Sequence, residues 1–84
     1  MLTIEVLGPG CVRCETLEKN VRIAVQEMGL EAQVTKISEI KEIAARRVMM
    51  TPALAVEGQV VSSGHLLTVH QVKKLLEKAA PKDT

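Results

Sequence analysis

The sequence predicts an α/β fold: a three-layer sandwich whose four-stranded mixed sheet carries helices on both faces. Four short stretches have the apolar or alternating pattern of strands, and three others repeat apolar residues at helical spacing. These stretches follow one another in the order β-α-β-α-β-β-α. The opening β-α-β unit requires a parallel strand pair joined by a right-handed crossover, and the later hairpin adds two antiparallel strands.

A glycine-rich break separates the first strand from the first helix. Apolar and polar residues alternate over residues 2–6, which predicts a strand, and Gly8-Pro9-Gly10 ends it. A helix is predicted from about Val12 to Met28, and Gly29 follows at the position where a left-handed residue ends many helices. The residues expected on its inward face are Cys14, Leu17, Val21, Ala24, Val25 and Met28.

A second strand and a second, shorter helix come next. The strand is predicted from Ala32 to Ile37. Ser38 precedes a charged stretch and is predicted to be the N-cap of a helix that ends near Arg47. The residues expected on the inward side of this helix are Ile40, Ile43 and Ala44.

The last part of the chain is predicted to form a hairpin and a final helix. Ala53 to Val56 and Gln59 to Ser62 are predicted strands, and Glu57-Gly58 is the two-residue turn between them. The final helix is predicted from about Thr68 to Ala80, and its inward residues are Val69, Val72, Leu75, Leu76 and Ala79. We expect residues 1–80 to form one domain and residues 81–84 to form a loose tail.

Composition argues against several function classes. The 84 residues suffice for one domain with a modest core, and 46% of them are apolar. Since the chain has no Phe, Tyr or Trp and a net charge of +1, it lacks the stacking platform and the basic field that nucleic-acid binding uses. No stretch is long enough to span a membrane, and the N-terminal residues do not resemble a signal peptide. We therefore expect a cytoplasmic protein that binds neither nucleic acid nor membrane.

Cys11 and Cys14 are the only two cysteines, and they lie where the first strand gives way to the first helix. A disulfide between them would close too small a loop to stabilise the fold much. Helix N-termini favour a thiolate through their unpaired N–H groups and dipole, and Arg13 adds a nearby cation. Open α/β sheets also have their sites at the carboxyl ends of strands. The pair therefore predicts sulfur chemistry, with Cys11 the better nucleophile and Cys14 on the inward face.

Two kinds of sulfur chemistry fit this pair. In one, Cys11 attacks a disulfide and Cys14 resolves the product; in the other, the two thiolates carry copper(I) or zinc. Met49 and Met50 could add soft ligands for copper(I), but Met at such positions more often packs in a core or forms an apolar docking rim. Zinc would be two ligands short unless a dimer supplied them. An inert interaction domain that keeps the fold without turnover is a third interpretation.

Thr51-Pro52 is the second informative pair, because it lies between two Met residues and the third strand. A proline cannot continue a strand ladder, and an X–Pro bond can be either cis or a plain trans strand start. Gly-Cys-x-x-Cys after the first strand, Thr-Pro before the third, the Gly58 hairpin and the final helix together resemble the thioredoxin superfamily. The resemblance is greatest to its small glutaredoxin-like members, the redox-active disulfide proteins, and it covers nearly the whole chain.

The resemblance implies a thioredoxin-like fold and a thiol–disulfide oxidoreductase activity of the protein-disulfide reductase type. Cys11 would be the attacking cysteine and Cys14 the resolving one, and their disulfide would be the redox group, without a bound cofactor or metal. Pro52 would be cis and would face both cysteines, and the backbone of Thr51 would pair with an extended substrate segment. The partners would be disulfide-containing proteins and an upstream disulfide reductase. Since a chain of 84 residues with one site can work alone, we expect a monomer.

Some residues depart from the family pattern or have two interpretations. Val12-Arg13 replaces the Gly-Pro of thioredoxins and the Pro-Tyr of glutaredoxins, so no reduction potential is implied. Glu5 matches an acidic position that assists proton transfer in thioredoxins. A half-buried Glu5 could do the same because burial disfavours its charge, whereas a Glu near the strand edge would stay hydrated. His65 and His70 have no spacing relation to the cysteines and are predicted to be surface or capping residues.

Overall fold

A computed structural model describes residues 2–10 and 12–79, with the backbone alone described for Ala79. Within these residues the elements are β1 (Leu2–Leu7), α1 (Val12–Met28), β2 (Ala32–Ile37), α2 (Ile40–Ala45), β3 (Ala53–Val56), β4 (Gln59–Ser63) and α3 (Val69–Ala79). The predicted fold class and element order are confirmed. Across this described part, no helix is long and apolar enough to cross a membrane. Ala80 and the predicted tail at residues 81–84 lie outside the described residues.

β1 is an inner strand of the sheet, whose order is β2-β1-β3-β4. It runs parallel to β2, with Leu7 opposite Ile37, and antiparallel to β3, with Leu7 opposite Ala53. β3 and β4 form the predicted antiparallel hairpin around Glu57-Gly58, with one irregularity in their register. Because Ala53 pairs with the last residue of β1, the segment that precedes β3 lies beside the loop that leads into α1.

α1 has the predicted bounds, and the backbone at Gly29 explains why the helix ends where it does. Gly29 has a φ of 66°, in the left-handed region that glycine adopts most easily. Its N–H donates to the carbonyl of Gln26 at 3.2 Å, and the N–H of Leu30 donates to the carbonyl of Val25 at 3.1 Å. These two bonds form a Schellman motif, which satisfies carbonyls that the helix itself leaves unpaired.

One face of the sheet is covered by α1 and α3. Its buried cluster consists of Ile4, Val6, Leu17, Val21, Ala24, Leu54, Val56, Leu67, Val72 and Leu76. The other predicted inward residues of the two helices whose side chains are described, Val25, Met28, Val69 and Leu75, are partly buried against the same cluster. Lys73 Nζ lies 2.5 Å from Glu27 Oε1, which joins the two helices, and Asn20 Nδ2 donates to the carbonyl of Leu67 at 2.8 Å, which joins α1 to the segment just before α3.

α3 begins one residue after the predicted start because Thr68 caps it. The N–H of Gln71 donates to Thr68 Oγ1 at 3.1 Å, and the N–H of Thr68 donates to Gln71 Oε1 at 2.9 Å. This reciprocal pair is a capping box, which satisfies two N–H groups at the start of the helix.

The opposite face of the sheet is covered by α2 and has a smaller core. Its buried cluster consists of Leu7, Ile43, Val48, Ala53 and Ala55. The predicted N-cap was wrong: α2 begins at Ile40, Glu39 occupies the N-cap position, and no side chain of the cap residue bonds the helix. Ser38 is therefore one residue too early to cap this helix. α2 ends at Ala45, slightly before the predicted end at Arg47.

The predicted inward side of α2 was also wrong in part. Ile43 is 6% exposed, but Ile40 is 73% exposed and Ala44 is exposed as well. The helix has six residues, fewer than two turns, so its apolar residues cannot form a repeating stripe. Val48, which follows the helix, fills the remaining space against the sheet.

Arg46 links the end of α2 to the middle of β1. Its Nε and Nη2 donate to Oε1 and Oε2 of Glu5 at 2.8 and 3.0 Å, and its Nη1 donates to Glu42 Oε1 at 3.1 Å. The Glu5 side chain is 18% exposed and that of Arg46 is 28% exposed. The hydrogen bond to Glu5, followed by the one to Glu42, raises the pKa of Arg46 above its ordinary value. Arg46 therefore stays charged throughout the accessible pH range.

Ile43→Ala and Ile40→Ala form a matched pair of changes within one helix. We expect Ile43→Ala to lower the free energy of unfolding by about 2 to 4 kcal/mol, because it leaves a cavity against the sheet. We expect Ile40→Ala to change it by less than about 0.5 kcal/mol, because that side chain lies in solvent. Urea unfolding followed by circular dichroism measures both. Equal effects of the two changes would contradict this description of α2.

The Glu5–Arg46 pair is expected to contribute to stability because it is bidentate and partly shielded from water. Arg46→Gln should lower the free energy of unfolding by about 1 kcal/mol, and Glu5→Gln should have little further effect once Arg46 is replaced. Arg22→Gln is the control, because Arg22 pairs with Glu18 on the same helix and is 55% exposed; its Nη2 also donates to the carbonyl of Val34 at 3.2 Å. Its cost should stay below about 0.5 kcal/mol. Strictly additive effects of the Glu5 and Arg46 changes would argue against a coupled pair.

Candidate active site

Of the two cysteines predicted to form the site, the structure describes Cys14 but not Cys11. Cys11, the predicted attacking residue, lies outside the described residues. Cys14 lies in the first turn of α1, and its side chain is fully buried, on the same helix face as Leu17 and Val21. The prediction that Cys14 points inward is therefore confirmed. A buried thiol one turn into the helix is not accessible to a substrate that approaches from solution.

Gly8, Cys14 and Pro52 lie together at the carboxyl end of β1. The N–H of Gly8 donates to the carbonyl of Ile37 at 2.9 Å, which extends the β1–β2 pairing by one bond. A Cβ atom on Gly8 would overlap Cys14 Sγ, would lie 2.9 Å from Cys14 Cβ, and would lie 3.9 Å from Pro52 Cα. The thiol of Cys14 is thus packed against bare backbone, with Pro52 close to the same point.

The segment before β3 brings Thr51 and Pro52 to this position. The peptide bond between them is cis, and Pro52 is buried while Thr51 is partly exposed. The N–H of Gly64 donates to the carbonyl of Pro52 at 2.9 Å, so the residue that follows β4 holds the segment in place. Gly64 has a φ of 79°, and a Cβ there would come within 3.1 to 3.4 Å of Met50 side-chain atoms. Met50 therefore packs over Gly64.

Three apolar side chains near these residues are exposed to solvent. Val12, two positions before Cys14, is 77% exposed. Met49 and Met50, just before Thr51, are 94% and 62% exposed. Core packing therefore does not explain the two Met residues. We refer to Val12, Met49 and Met50 as the apolar rim.

The charged residues at the start of α1 have opposing effects on the site. Arg13, predicted as a modulator, is exposed one position before Cys14 in the first turn of the helix. Glu15 is exposed in the same turn and was not predicted as a site residue. Its negative charge stabilises the N-terminus of the helix but destabilises a thiolate there, so its effect on the thiolate is opposite to that of Arg13.

Glu5 does not face α1. Along β1, Ile4 and Val6 belong to the cluster under α1 and α3, so the side chain between them points to the opposite face, where α2 lies. Both carboxylate oxygens of Glu5 accept hydrogen bonds from Arg46. Glu5 therefore has a structural role as the partner of Arg46, and the sheet lies between its side chain and α1, the helix that carries Cys14.

The last candidate residues are the two histidines and the groups that could bind a metal ion. His65 and His70 are exposed, as predicted for surface residues. Among residues 2–10 and 12–79, no three or more His, Cys, Asp or Glu side chains come together in a way that could hold a metal ion.

Comparison with known proteins identifies the family. A family model described as "Thioredoxin domain" matches residues 2–77. A protein named "Thioredoxin" from Methanothermobacter thermautotrophicus is 38% identical over 76 residues, which cover 90% of this chain and 99% of the relative. A second "Thioredoxin", from Methanocaldococcus jannaschii, is 34% identical over 77 residues, which cover 92% of this chain and 88% of the relative. The chain therefore belongs to the thioredoxin family.

Proposed function

We propose that this protein is a thiol–disulfide oxidoreductase in which Cys11 attacks a substrate disulfide and Cys14 resolves the mixed disulfide. The observation that carries the proposal is the position of Cys14, buried in the first turn of α1 and packed against Gly8 beside Pro52. Family membership and the names of the two relatives support the same reaction class. The spacing of the cysteines supports the division of roles, because Cys11 precedes the helix and Cys14 lies inside it.

The reaction has two exchange steps. In the first, the Cys11 thiolate attacks one sulfur of the substrate disulfide; a Cys11–substrate bond forms, the substrate disulfide breaks, and one substrate thiolate leaves. In the second, the Cys14 thiolate attacks Cys11 Sγ; the Cys11–Cys14 bond forms and the second substrate thiolate leaves. Two electrons pass from the protein dithiol to the substrate. The cysteine pair is itself the redox group, and an upstream disulfide reductase returns it to the dithiol.

Substrate contacts in this proposal come from two neighbouring groups. The backbone of the partly exposed Thr51 binds an extended segment of the substrate by strand addition, next to the sulfur chemistry. The apolar rim contacts apolar residues that flank the substrate disulfide, since exposed Met side chains adapt to varied surfaces. Disulfide-containing proteins are the substrates that fit both contacts.

Two features of α1 favour the thiolate that starts the reaction. The first turn of α1 presents unpaired N–H groups and the positive end of the helix dipole. Arg13 adds a cation in this turn and is exposed to solvent, so its charge is available to the attacking sulfur. Glu15 partly offsets this cation. A single Cys-x-x-Cys pair with such surroundings is typical of reducing compartments, so a cytoplasmic location belongs to the same proposal.

Replacing each cysteine separately tests the two roles. Cys11→Ser should reduce disulfide reduction of insulin to the uncatalysed background, because an alcohol cannot replace the attacking thiolate. Cys14→Ser should also abolish turnover but should leave a covalent Cys11–substrate adduct, which mass spectrometry detects. Glu77→Gln, a change of an exposed residue on α3, is the control and should retain full activity. An active Cys11→Ser protein, or an adduct on Cys14 in the wild type, would exclude the proposed roles.

The same preparations distinguish disulfide exchange from metal carriage. The wild type is equilibrated in dithiol buffers of graded potential, and formation of the Cys11–Cys14 disulfide is followed; copper(I) binding is titrated in parallel. Reversible oxidation together with insulin reduction supports the oxidoreductase. Tight binding of one copper(I) ion, without disulfide formation over the biological range of potential, would exclude it.

A further inference from the structure

Gly8 is glycine for a spatial reason rather than a conformational one. Gly10, Gly29, Gly58 and Gly64 all have positive φ angles, but Gly8 does not, so its φ angle does not require glycine. The position is buried, and its N–H is committed to the carbonyl of Ile37. The space that a side chain would occupy is instead filled by the Cys14 thiol. We call this space the Gly8 gap.

A side chain at residue 8 cannot occupy the Gly8 gap unless Cys14 moves. A rotation about the Cα–Cβ bond of Cys14 would carry Sγ away from a new methyl group at residue 8, but it would not move Cys14 Cβ, which would still lie 2.9 Å from that methyl carbon. Real Cβ atoms essentially never approach other atoms so closely. The remaining route is a shift of α1, and this helix is held by its fully buried residues Leu17, Val21 and Ala24. Rotation of the Cys14 side chain and a shift of α1 both move Sγ, so we expect Gly8→Ala to displace the sulfur.

We propose that Gly8 is a positioning residue for the second exchange step: by lacking a side chain, it provides the gap that holds the Cys14 sulfur where it can attack the mixed disulfide. This inference rests on the proposed function. Disulfide formation tolerates little error in sulfur position, because the S–S length and the dihedral angle about the bond are narrowly defined. The first step does not use Cys14 and should not depend on the gap.

Gly8→Ala separates the two steps when the reduced protein reacts with an equimolar amount of the chromogenic disulfide DTNB. Attack by Cys11 releases one thionitrobenzoate, and resolution by Cys14 releases the second. We expect the first release to keep the wild-type rate and the second to slow by roughly 10- to 100-fold, the range that small misplacements of reacting groups produce. Cys14→Ser provides the reference for the first release alone. A second release at the wild-type rate in folded Gly8→Ala protein would overturn the inference.

Gly29→Ala is the matched control for a general loss of stability. Gly29 has a φ of 66°, and, apart from the neighbouring residues of the chain, no atom of the described residues lies within 4 Å of the place that an alanine methyl group would take. Alanine there strains the backbone at the far end of α1 without touching Cys14. This variant should be destabilised but should release both thiols at wild-type rates. If Gly29→Ala slows the second release as Gly8→Ala does, the effect is a general consequence of lower stability and the inference fails.

A second measurement covers the case in which Gly8→Ala does not fold. The decrease in denaturation midpoint that Gly8→Ala causes is measured in two backgrounds, the wild type and Cys14→Ala. Removal of the sulfur should relieve part of the damage that the added methyl group causes, because the overlap with Sγ is lost while the 2.9 Å contact with the Cβ atom of residue 14 remains; an equal loss in both backgrounds would show that the sulfur does not use the gap. Failure of the proposed function looks different, because the wild type itself would then fail to reduce the disulfides of insulin.

Discussion

The position of β1 between two hydrogen-bonded neighbours, with side chains buried on both faces, is the constraint on which the rest of the molecule depends. Its pairing with β2 continues through Gly8, and its pairing with β3 places Ala53 opposite Leu7. These two registers bring the start of α1 and the segment ending in Pro52 to the same end of the strand. A slip of one residue in either register would exchange the two faces of the strand and separate these groups.

Much of the fold could be predicted because several elements carry more than one local signal. α1 combines a helical apolar repeat with Gly29 at its end, and the hairpin combines alternating residues with Glu57-Gly58. α2 has neither a second turn nor a capping side chain, so tertiary contacts decide which of its residues are buried. Ile43 and Val48 meet the sheet because of how the segment crosses it, and the local pattern does not contain that information.

The candidate site shows the same division between local and long-range information. The inward position of Cys14 followed from its place in the helical repeat, because Leu17 and Val21 share its face. The contact of its sulfur with Gly8 could not be predicted, since Gly8-Pro9-Gly10 does not reveal which glycine is needed for space and which for its φ angle. For Glu5, the alternation with Ile4 already indicated a different face of the sheet, but its partner Arg46 lies far away in sequence.

The unequal covering of the two sheet faces has a consequence for local unfolding. The face under α1 and α3 buries long side chains, whereas the face under α2 relies on one Ile, one Leu, one Val and two Ala residues. Little apolar area is exposed when α2 lifts away, so we expect its amide hydrogens to exchange by local opening while those of α1 and β1 require global unfolding. Residues 46–51 connect α2 to Pro52. Under the proposed function, the segment that contacts the substrate is therefore joined to the part of the protein that we expect to open most easily, whereas the proposed resolving cysteine belongs to the part that we expect to open last.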